Sequence, residues 1–241
     1  MMTNTLQIIL PIIILLPTYL IGSIPFGLVL TKTFLRQDIR KIGSGNIGAT
    51  NVLRTGSKIL AILTVILDAM KPYFAYHIVK GLMKFIYGKD AMFLFFGINQ
   101  FNTYITIAIV AITILAHCFP IYLKFKGGKG VATVFGSLFL FSTKVKFLCI
   151  NWYLLPLAGL ATWLLTAIIS KKSSLSALLT AVLLPLYVYF LTPRGLTTST
   201  LTIFYVFVSL FVIVRHKSNI KRLLNGEESN IKLSKDKKIN G

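Results

Sequence analysis

The chain has 241 residues, of which 55% are hydrophobic and 13% are charged, and its mean hydropathy is +0.78. Soluble domains carry about a quarter charged residues, so this composition argues against a single soluble domain. The 26 Lys and Arg residues outnumber the six Asp and Glu residues, and the net charge is +20. In so apolar a chain, the basic excess favours loops beside anionic lipid, or an anionic substrate, over nucleic acid.

Seven apolar runs predict an all-α, polytopic integral membrane protein of about seven transmembrane helices, since one span needs about 20 mostly apolar residues. We expect the first run to be a retained helix and not a signal peptide, because no cation precedes it and no cleavage site is evident. Its prolines, Pro11, Pro17 and Pro25, should kink it or end it early. The fourth run is short, and a half-span or re-entrant segment is the alternative there. The runs are Leu6–Leu30, Ile59–Val79, Ala91–Ala116, Val131–Phe141, Phe147–Ile169, Leu175–Leu191 and Thr200–Val214.

The Lys and Arg residues are unevenly divided between the two sides of such a bundle. With seven crossings, most of them fall in the loops after helices 1, 3 and 5 and in the C-terminal tail. The positive-inside rule then places these loops and the C-terminus in the cytoplasm and the N-terminus outside. We expect residues 1–228 to form one transmembrane domain and residues 229–241 to be a basic, disordered cytoplasmic tail. Cys118 and Cys149 predict no disulfide framework.

The first polar motif, G-S-G-N-I-G-A-T-N-V-L-R, covers residues 43–54 between two predicted membrane helices. It contains the spacing G-x-G-x-x-G, but a dinucleotide site needs a preceding strand and a βαβ unit, which this context excludes. Glycines let backbone N–H groups converge on an anion, and an arginine can bind phosphate through two parallel hydrogen bonds. The motif therefore predicts a phosphate site, with a polar turn as the alternative. The candidate side chains are Ser44, Asn46, Thr50, Asn51 and Arg54.

The second motif, F-K-G-G-K-G-V-A-T, covers residues 125–133. It is similar to a P-loop but is not one, because Gly130 stands where a Ser or Thr would bind magnesium. Two lysines that flank a glycine pair just before a helix can still form a nest for an anion. We therefore expect Lys126, Gly127, Gly128 and Lys129 to hold a phosphate. A basic cytoplasmic loop with glycines is the alternative.

Two histidines, His117 and His216, lie at predicted helix ends beside a motif, where each is either structural or part of the site. Tyr122 and Lys221 stand where the Asp of the His–Asp dyad of soluble glycerolipid acyltransferases would be, so that dyad is absent. The histidines and cysteines also lack the spacing of metal ligands. We therefore expect no metal.

A charged pair lies inside the second predicted helix. Asp68 and Lys71 are three residues apart, which places them on one helix face. Charges inside a membrane are expensive and are usually paired or functional. The sequence leaves a structural ion pair and a catalytic role equally open.

Together with a third motif, R-H-x-x-N-I-x-R-L-x-x-G-x-E, these stretches resemble the bacterial membrane glycerol-3-phosphate acyltransferases that use acyl phosphate as donor, the PlsY family. The combination is specific, and the resemblance extends from G-S-I-P-F-G at residues 22–27 to Glu227. Two positions depart from the family's usual pattern, since Ala116 stands for a Gly before the His and Pro72 for a Gly after the Lys of the second helix. We expect Ala116 to test how tightly His117 packs and Pro72 to kink its helix.

The resemblance implies an enzyme of the bacterial inner membrane, with seven helices and an active site that faces the cytoplasm. It would transfer a fatty acyl group from acyl phosphate to the 1-hydroxyl of glycerol 3-phosphate, giving lysophosphatidate and phosphate in the first committed step of phospholipid synthesis. It implies no cofactor. The partners would be the two substrates and membrane lipid, with the acyl-phosphate-forming enzyme as a further candidate and no nucleic acid.

Matching the motifs residue by residue assigns expected roles. The catalytic residues would be Ser44, His216 and Asn219, which with Asn46 orient the attacking hydroxyl and the developing oxyanion. Either His216 or a phosphate oxygen of the donor could be the base. Arg54 and a lysine of the second motif would hold the phosphate of glycerol 3-phosphate. The full set of substrate-binding residues would be Asn46, Thr50, Asn51, Arg54, His117, Lys126, Gly127, Gly128, Lys129, Ser173, Ser174 and Arg222.

A transporter for an organic phosphate explains the helices and the cationic loops equally well. Carriers often contain inverted repeats and bind their cargo near the middle of the membrane. This chain shows no repeat, and its polar motifs are expected at one membrane face. A membrane scaffold, the third possibility, would not need three separate polar clusters, so the enzyme is the preferred hypothesis.

Overall fold

The computed structural model describes residues 15–96, 100–144, 151–192 and 195–231. Within these ranges the regular structure is helical, which confirms the predicted all-α class for the part described. Pro11, Cys149 and residues 232–241, to which predictions above refer, lie outside these ranges. The helices are α1 Leu15–Ser23, α2 Phe26–Leu35, α3 Ala49–Leu53, α4 Lys58–Phe96, α5 Gln100–Cys118, α6 Val131–Lys144, α7 Asn151–Ser170, α8 Ser173–Leu191, α9 Leu196–Arg215 and α10 Lys217–Leu224.

The described part of the first predicted run, from Leu15, folds as two helices that meet at Ile24 and Pro25. The angle between α1 and α2 is 43°. Because Pro25 has no N–H group with which to continue the helical ladder, the break predicted at this proline is confirmed. α2 passes the predicted end at Leu30 and stops where Arg36 adopts a left-handed conformation, with φ of 53°.

Among the described residues, four helical segments are long and apolar enough to cross a membrane, and the bent pair of α1 and α2 could be a fifth. The four are Lys58–Ile86 within α4, Asn102–Leu123, α8 and α9. The apolar parts of α6 and α7, Val131–Ser142 and Leu154–Ser170, are shorter. The predicted apolar helices are therefore present, and the number that cross the membrane stays a prediction.

α4 is a long helix whose described backbone is interrupted at one glycine. Pro72 lies inside the helix, whereas the non-helical backbone is at Gly88, with φ of 76°. A proline can stay within a membrane helix when its surroundings satisfy the freed carbonyl, while a positive φ is accessible to glycine without strain. The kink expected at Pro72 stays a prediction, and Gly88 adds an interruption sixteen residues further along the helix.

A glycine contact sets the distance between α4 and α6. A Cβ atom on Gly136 would lie 1.6 Å from the carbonyl oxygen of Ala69, so only glycine fits this crossing. The close approach brings the start of α6, which carries the second motif, to the part of α4 that carries Asp68. Residues from both places line one cavity.

The three polar motifs meet at one end of the bundle. The hydroxyls of Thr50, in α3, and Ser173, at the start of α8, are 2.9 Å apart. The Lys129 side chain, before α6, donates to the Asn219 side chain of α10. Buried apolar residues hold these elements in place, and the largest cluster includes Tyr205, whose hydroxyl pairs with Ser137 at 2.8 Å.

The chain does not leave the domain at residue 228, where the sequence placed the boundary. Gly226, with φ of 71°, turns the backbone after α10 back toward the bundle. Ser229 then accepts a hydrogen bond from Arg54, and the N–H of Ile231 donates to the carbonyl of Lys171 at 2.7 Å. Residues 229–231 therefore contact the folded domain, although Ser229 and Asn230 are exposed, and the basic tail beyond them stays a prediction.

Candidate active site

One cavity of about 350 Å³ collects the predicted site residues. Its polar end is lined by all of them except Lys126, Gly127 and Gly128. Along α6 the lining is apolar one and two turns past Val131, at Phe135 and Phe139, so the cavity continues along this helix as an apolar groove. The polar residues are Ser44, Asn46, Thr50, Asn51, Arg54, Asp68, His117, Lys129, Ser173, Ser174, His216, Asn219, Arg222, Glu228 and Ser229, and the apolar end includes Val65, Phe135, Phe139, Leu160 and Trp163.

Asn51 organises the loop of the first motif from within. Its Nδ2 donates to three carbonyl oxygens, those of Ile39 at 3.0 Å, Ile42 at 2.9 Å and Asn46 at 2.8 Å. Its Oδ1 accepts from the N–H of Ser44 at 3.2 Å. Asn51 is buried, and its amide is fully used by the protein, so the contacts give it a role in shaping the loop instead of the expected contact with substrate.

Arg54 is the exposed cation of the same loop. Its Nη1 donates to Asn51 Oδ1 at 3.2 Å, and its Nη2 donates to the Ser229 hydroxyl. Neither partner is charged. The guanidinium therefore has only neutral hydrogen-bond partners and borders the cavity, as a phosphate-binding arginine should.

The loop of the second motif uses its glycine N–H groups differently from the prediction. Gly127 N donates to the Cys118 carbonyl and Gly128 N to the His117 carbonyl, both at 3.1 Å. These two N–H groups are therefore not the expected anion nest, because buried backbone donors that already have partners gain nothing from a second acceptor. Lys126 is exposed and lies outside the cavity lining.

Lys129 is the cation that this loop delivers to the cavity. Its ammonium donates to Asn219 Oδ1. Burial, together with the nearby Arg222, Arg215 and Arg54, lowers the pKa of Lys129 to about 8 against the opposing effect of Glu228. At neutral pH the side chain is still mostly charged, with an ammonium poorly solvated by water, which favours an anionic ligand.

His216 is buried where α9 ends, and its tautomer can be assigned from one contact. Its Nδ1 lies 2.8 Å from the carbonyl oxygen of Val212. Because a carbonyl can only accept, Nδ1 carries the proton and Nε2 is the acceptor of the neutral ring. Burial lowers the pKa of His216 to about 4, so the ring is neutral at physiological pH.

Glu228 belongs to this site, although sequence reasoning did not include it. Its Oε1 accepts from Ser174 Oγ at 2.6 Å and from Asn219 Nδ2 at 2.7 Å, and its Oε2 accepts from Arg222 Nε at 2.7 Å. Burial raises the pKa of Glu228, but these three hydrogen bonds outweigh it and hold the pKa below its usual range. The signal was available, because this carboxylate ends the third motif.

The charged pair of α4 is a buried ion pair with a third member. Lys71 Nζ lies 2.8 Å from Asp68 Oδ1 and 3.1 Å from His117 Nδ1. All three side chains are buried. Ala116, next to His117, packs against Gly22, where a Cβ atom would lie 2.7 Å from the Ala116 methyl. The extra methyl of Ala116 thus lies against a glycine of a neighbouring helix.

The residues of the cavity do not suit a metal ion. Within the described ranges, no three His, Cys, Asp or Glu side chains lie close enough together to hold one. The cavity instead offers cations and neutral donors at one end and an apolar groove at the other. Such a site suits an amphipathic ligand with an anionic head.

A sequence model of the glycerol-3-phosphate acyltransferase family matches residues 12–226. Two curated relatives carry the name glycerol-3-phosphate acyltransferase. The one from Pelagibacter ubique is 41% identical over 92% of this chain and 98% of its own, and the one from Dinoroseobacter shibae is 43% identical over 90% of each. A crystal structure of PlsY, an integral membrane glycerol 3-phosphate acyltransferase in its glycerol 3-phosphate form, is similar with a TM-score of 0.71 and 28% identity, over 91% of this chain and 94% of that one.

The amide of Asn51 leads to a prediction about the first motif. In Asn51→Asp, a carboxylate oxygen would replace the donor that faces three carbonyls, and buried acceptors without a donor repel one another. We expect a loss of about 2–4 kcal/mol in the free energy of unfolding, seen as a lower Tm in detergent. Asn46→Asp is the matched control, because Asn46 uses its Oδ1 to accept from Gly48 N. Equal Tm values for the two variants would contradict this role of Asn51.

Proposed function

The chain belongs to the glycerol-3-phosphate acyltransferase family, and we propose that its cavity transfers a fatty acyl group from acyl phosphate to the 1-hydroxyl of glycerol 3-phosphate. The hydroxyl oxygen forms a bond to the acyl carbon, the bond from that carbon to the phosphate oxygen breaks, and lysophosphatidate and inorganic phosphate are released. The observation that carries the proposal is a single cavity that joins a cationic end to an apolar groove. Acyl phosphate needs both, whereas a free organic phosphate needs only the first.

Arg54 is proposed to bind the phosphate of glycerol 3-phosphate. The other arginine of the polar end, Arg222, already forms an ion pair with Glu228 at 2.7 Å. Arg54 has only neutral partners, and Ser44 and Asn46 line the cavity near it. A phosphate would replace the Ser229 hydroxyl on Nη2 and gain a charge-assisted bond.

Lys129 and the N-termini of α6 and α8 are proposed to hold the phosphoryl group of the donor. Gly130 and Val131 at the start of α6, and Ser173 and Ser174 at the start of α8, line the cavity. Helix N-termini present unpaired N–H groups and a partial positive charge, which favour an anion. The acyl chain would then extend along Phe135 and Trp163 into the apolar end.

His216 is proposed to orient the attacking hydroxyl through Nε2. A general base works best when its pKa is near the working pH, and a pKa of about 4 makes His216 a weak base in the substrate-free cavity. Acyl phosphate is already activated, with a good leaving group, so positioning and charge stabilisation supply most of the rate. A phosphate oxygen is then the better proton acceptor of the two that the sequence left open.

The seven crossings, the external N-terminus and a site on the cytoplasmic side of the inner membrane are part of this proposal. The polar end of the cavity lies among the Lys- and Arg-rich loops, which the positive-inside rule assigns to the cytoplasm. Single cysteines at positions 48 and 88 test it in whole cells with an impermeant thiol reagent, in a background without the two native cysteines. We expect labelling at 88 only. Labelling at 48 alone would reverse the orientation.

The reaction is tested with detergent-solubilised protein, acyl phosphate and labelled glycerol 3-phosphate, with acyl-CoA in a parallel reaction. We expect lysophosphatidate and phosphate in equal amounts from acyl phosphate, with no effect of a chelator. In this assay Arg54→Ala should raise the KM for glycerol 3-phosphate by about 10- to 100-fold, because a charge-assisted bond is lost. Arg54→Lys should recover only part of the affinity, since it lacks the planar fork. An unchanged KM in Arg54→Ala would remove Arg54 from the site.

The pKa of Lys129 sets an expected pH limit. With a pKa of about 8, the ammonium is present below pH 8 and is lost as the pH rises, so kcat/KM for acyl phosphate should fall above about pH 8. Arg at this position stays charged throughout the range. The ratio of kcat/KM for Lys129→Arg to that of the wild type should therefore rise above pH 8, and ionisation of the substrates cancels in this ratio. A ratio independent of pH would show that the charge of Lys129 is not required.

A further inference from the structure

Gly128 is constrained by two hydrogen bonds and by one close side-chain contact. Its N–H donates to the His117 carbonyl at 3.1 Å, and its own carbonyl accepts from Arg215 Nη2 at 2.9 Å. Its third neighbour is the His117 ring, since a Cβ atom on Gly128 would lie 2.2 Å from Nε2. The residue that follows is Lys129. The backbone next to this cation is therefore constrained at its N–H, its carbonyl and its Cα.

His117 is in turn held by the buried ion pair of α4. Its Nδ1 lies 3.1 Å from Lys71 Nζ and 3.5 Å from Asp68 Oδ1, and the side chains of Asp68, Lys71 and His117 are at most 5% exposed. Buried charges are costly unless they are paired and their geometry is well defined. The Phe26 ring closes the far side of Lys71, with its centroid 5.3 Å from Nζ.

His117 lines the cavity, but its closest contacts are with the protein. Its Nδ1 faces the Asp68–Lys71 pair, and its Nε2 faces Gly128. Neither ring nitrogen is directed to the donors that gather around Lys129, Asn219 and Glu228. A histidine whose Nδ1 is paired with a buried ammonium and whose ring packs against the loop backbone holds that loop in place.

We propose that Asp68, Lys71, His117 and Arg215 are positioning residues that fix Gly128 and thereby direct the ammonium of Lys129 into the cavity. The first three form a buried support beneath the glycine, and Arg215 anchors its carbonyl from α9. The proposal rests on the function assigned above, because Lys129 is taken to hold the phosphoryl group of the donor. It gives the buried charges of α4 a role in shaping the site.

The contact between the His117 ring and Gly128 allows a test by exchanging size. In Gly128→Ala the new methyl overlaps the ring, so the loop must shift, and we expect the KM for acyl phosphate to rise about tenfold or more. In His117→Ala the support is lost, and a similar rise is expected. In the double variant the methyl occupies space that the ring has left, so its KM should be no higher than that of His117→Ala alone.

Gly127→Ala is the matched control. Its Cβ atom would lie 2.3 Å from the His117 carbonyl oxygen and 2.3 Å from Pro120 Cδ, and neither atom is removed by His117→Ala. The effects of Gly127→Ala and His117→Ala should therefore multiply. If the effects of Gly128→Ala and His117→Ala on the KM for acyl phosphate also multiplied, the proposed support would be wrong. If Gly128→Ala failed to fold, recovery of folded protein by adding His117→Ala would support it, and no recovery would contradict it.

A second experiment distinguishes an effect on the position of Lys129 from an effect on the stability of the fold. Arg215→Lys keeps the charge but loses the planar donor that faces the Gly128 carbonyl, and the KM for acyl phosphate should rise about three- to tenfold. Tyr205→Phe removes a buried hydrogen bond to Ser137, far from the loop, and should lower Tm without a change in KM. If Arg215→Lys lowered Tm and left the KM for acyl phosphate unchanged, Arg215 would have only a structural role.

The two proposals can fail separately. If the wild type formed no ester from acyl phosphate, the proposed reaction would be wrong. Binding of inorganic phosphate, measured by calorimetry on the same variants, would still test the support. The same size-exchange pattern in Kd would uphold the positioning of Lys129, and multiplying effects in Kd would overturn it.

Discussion

The polar end of the cavity depends on one carboxylate. Arg54, Lys129 and Arg222 line a small, partly desolvated space, and without a counter-charge they would repel one another. Glu228 supplies that charge through hydrogen bonds with Ser174, Asn219 and Arg222, which belong to α8 and α10. Its backbone carbonyl also accepts from Lys172 at 2.7 Å. One residue thus joins the loop before α8 to the chain after α10. The whole sequence has only six acidic residues.

The neutralisation by Glu228 is selective, and this selectivity leaves room for substrate. Arg222 and Asn219 are bound by the carboxylate, while Arg54 and Lys129 contact only neutral oxygens. An incoming phosphate therefore meets two cations whose charge is not yet compensated. The lowered pKa of Lys129 reflects this excess of positive charge. Burial and the neighbouring arginines both disfavour the charged form of Lys129 in the absence of an anion. Binding a doubly charged ligand would relieve repulsion that the empty cavity contains.

Much of this arrangement could be predicted from the sequence, and the exceptions share a physical cause. Hydropathy located the helices, and Pro25 located the break between α1 and α2, because both signals are local. Side-chain chemistry located the cavity lining, since Arg54, Lys129, His216 and Asn219 are the residue types that bind anions. What composition could not tell is how each group is already satisfied. The amide of Asn51, the N–H groups of Gly127 and Gly128, and Nδ1 of His117 all bind the protein itself. These pairings depend on how each loop folds back on itself, over 5 to 12 residues for Asn51, and on packing between helices, over 46 residues for His117 and Lys71.

The buried and the exposed charges of this protein divide the work between them. Asp68, Lys71 and His117 compensate one another inside the bundle, where an uncompensated charge would be most costly. Arg54 is exposed at the rim, where water bears the cost of its charge until substrate replaces it. Lys129 lies between these two situations, attached to the buried cluster through Gly128 and directed toward the open cavity. A fixed interior charge network can therefore set the position of a cation that must itself stay available, which a loop held only by its glycines could not do.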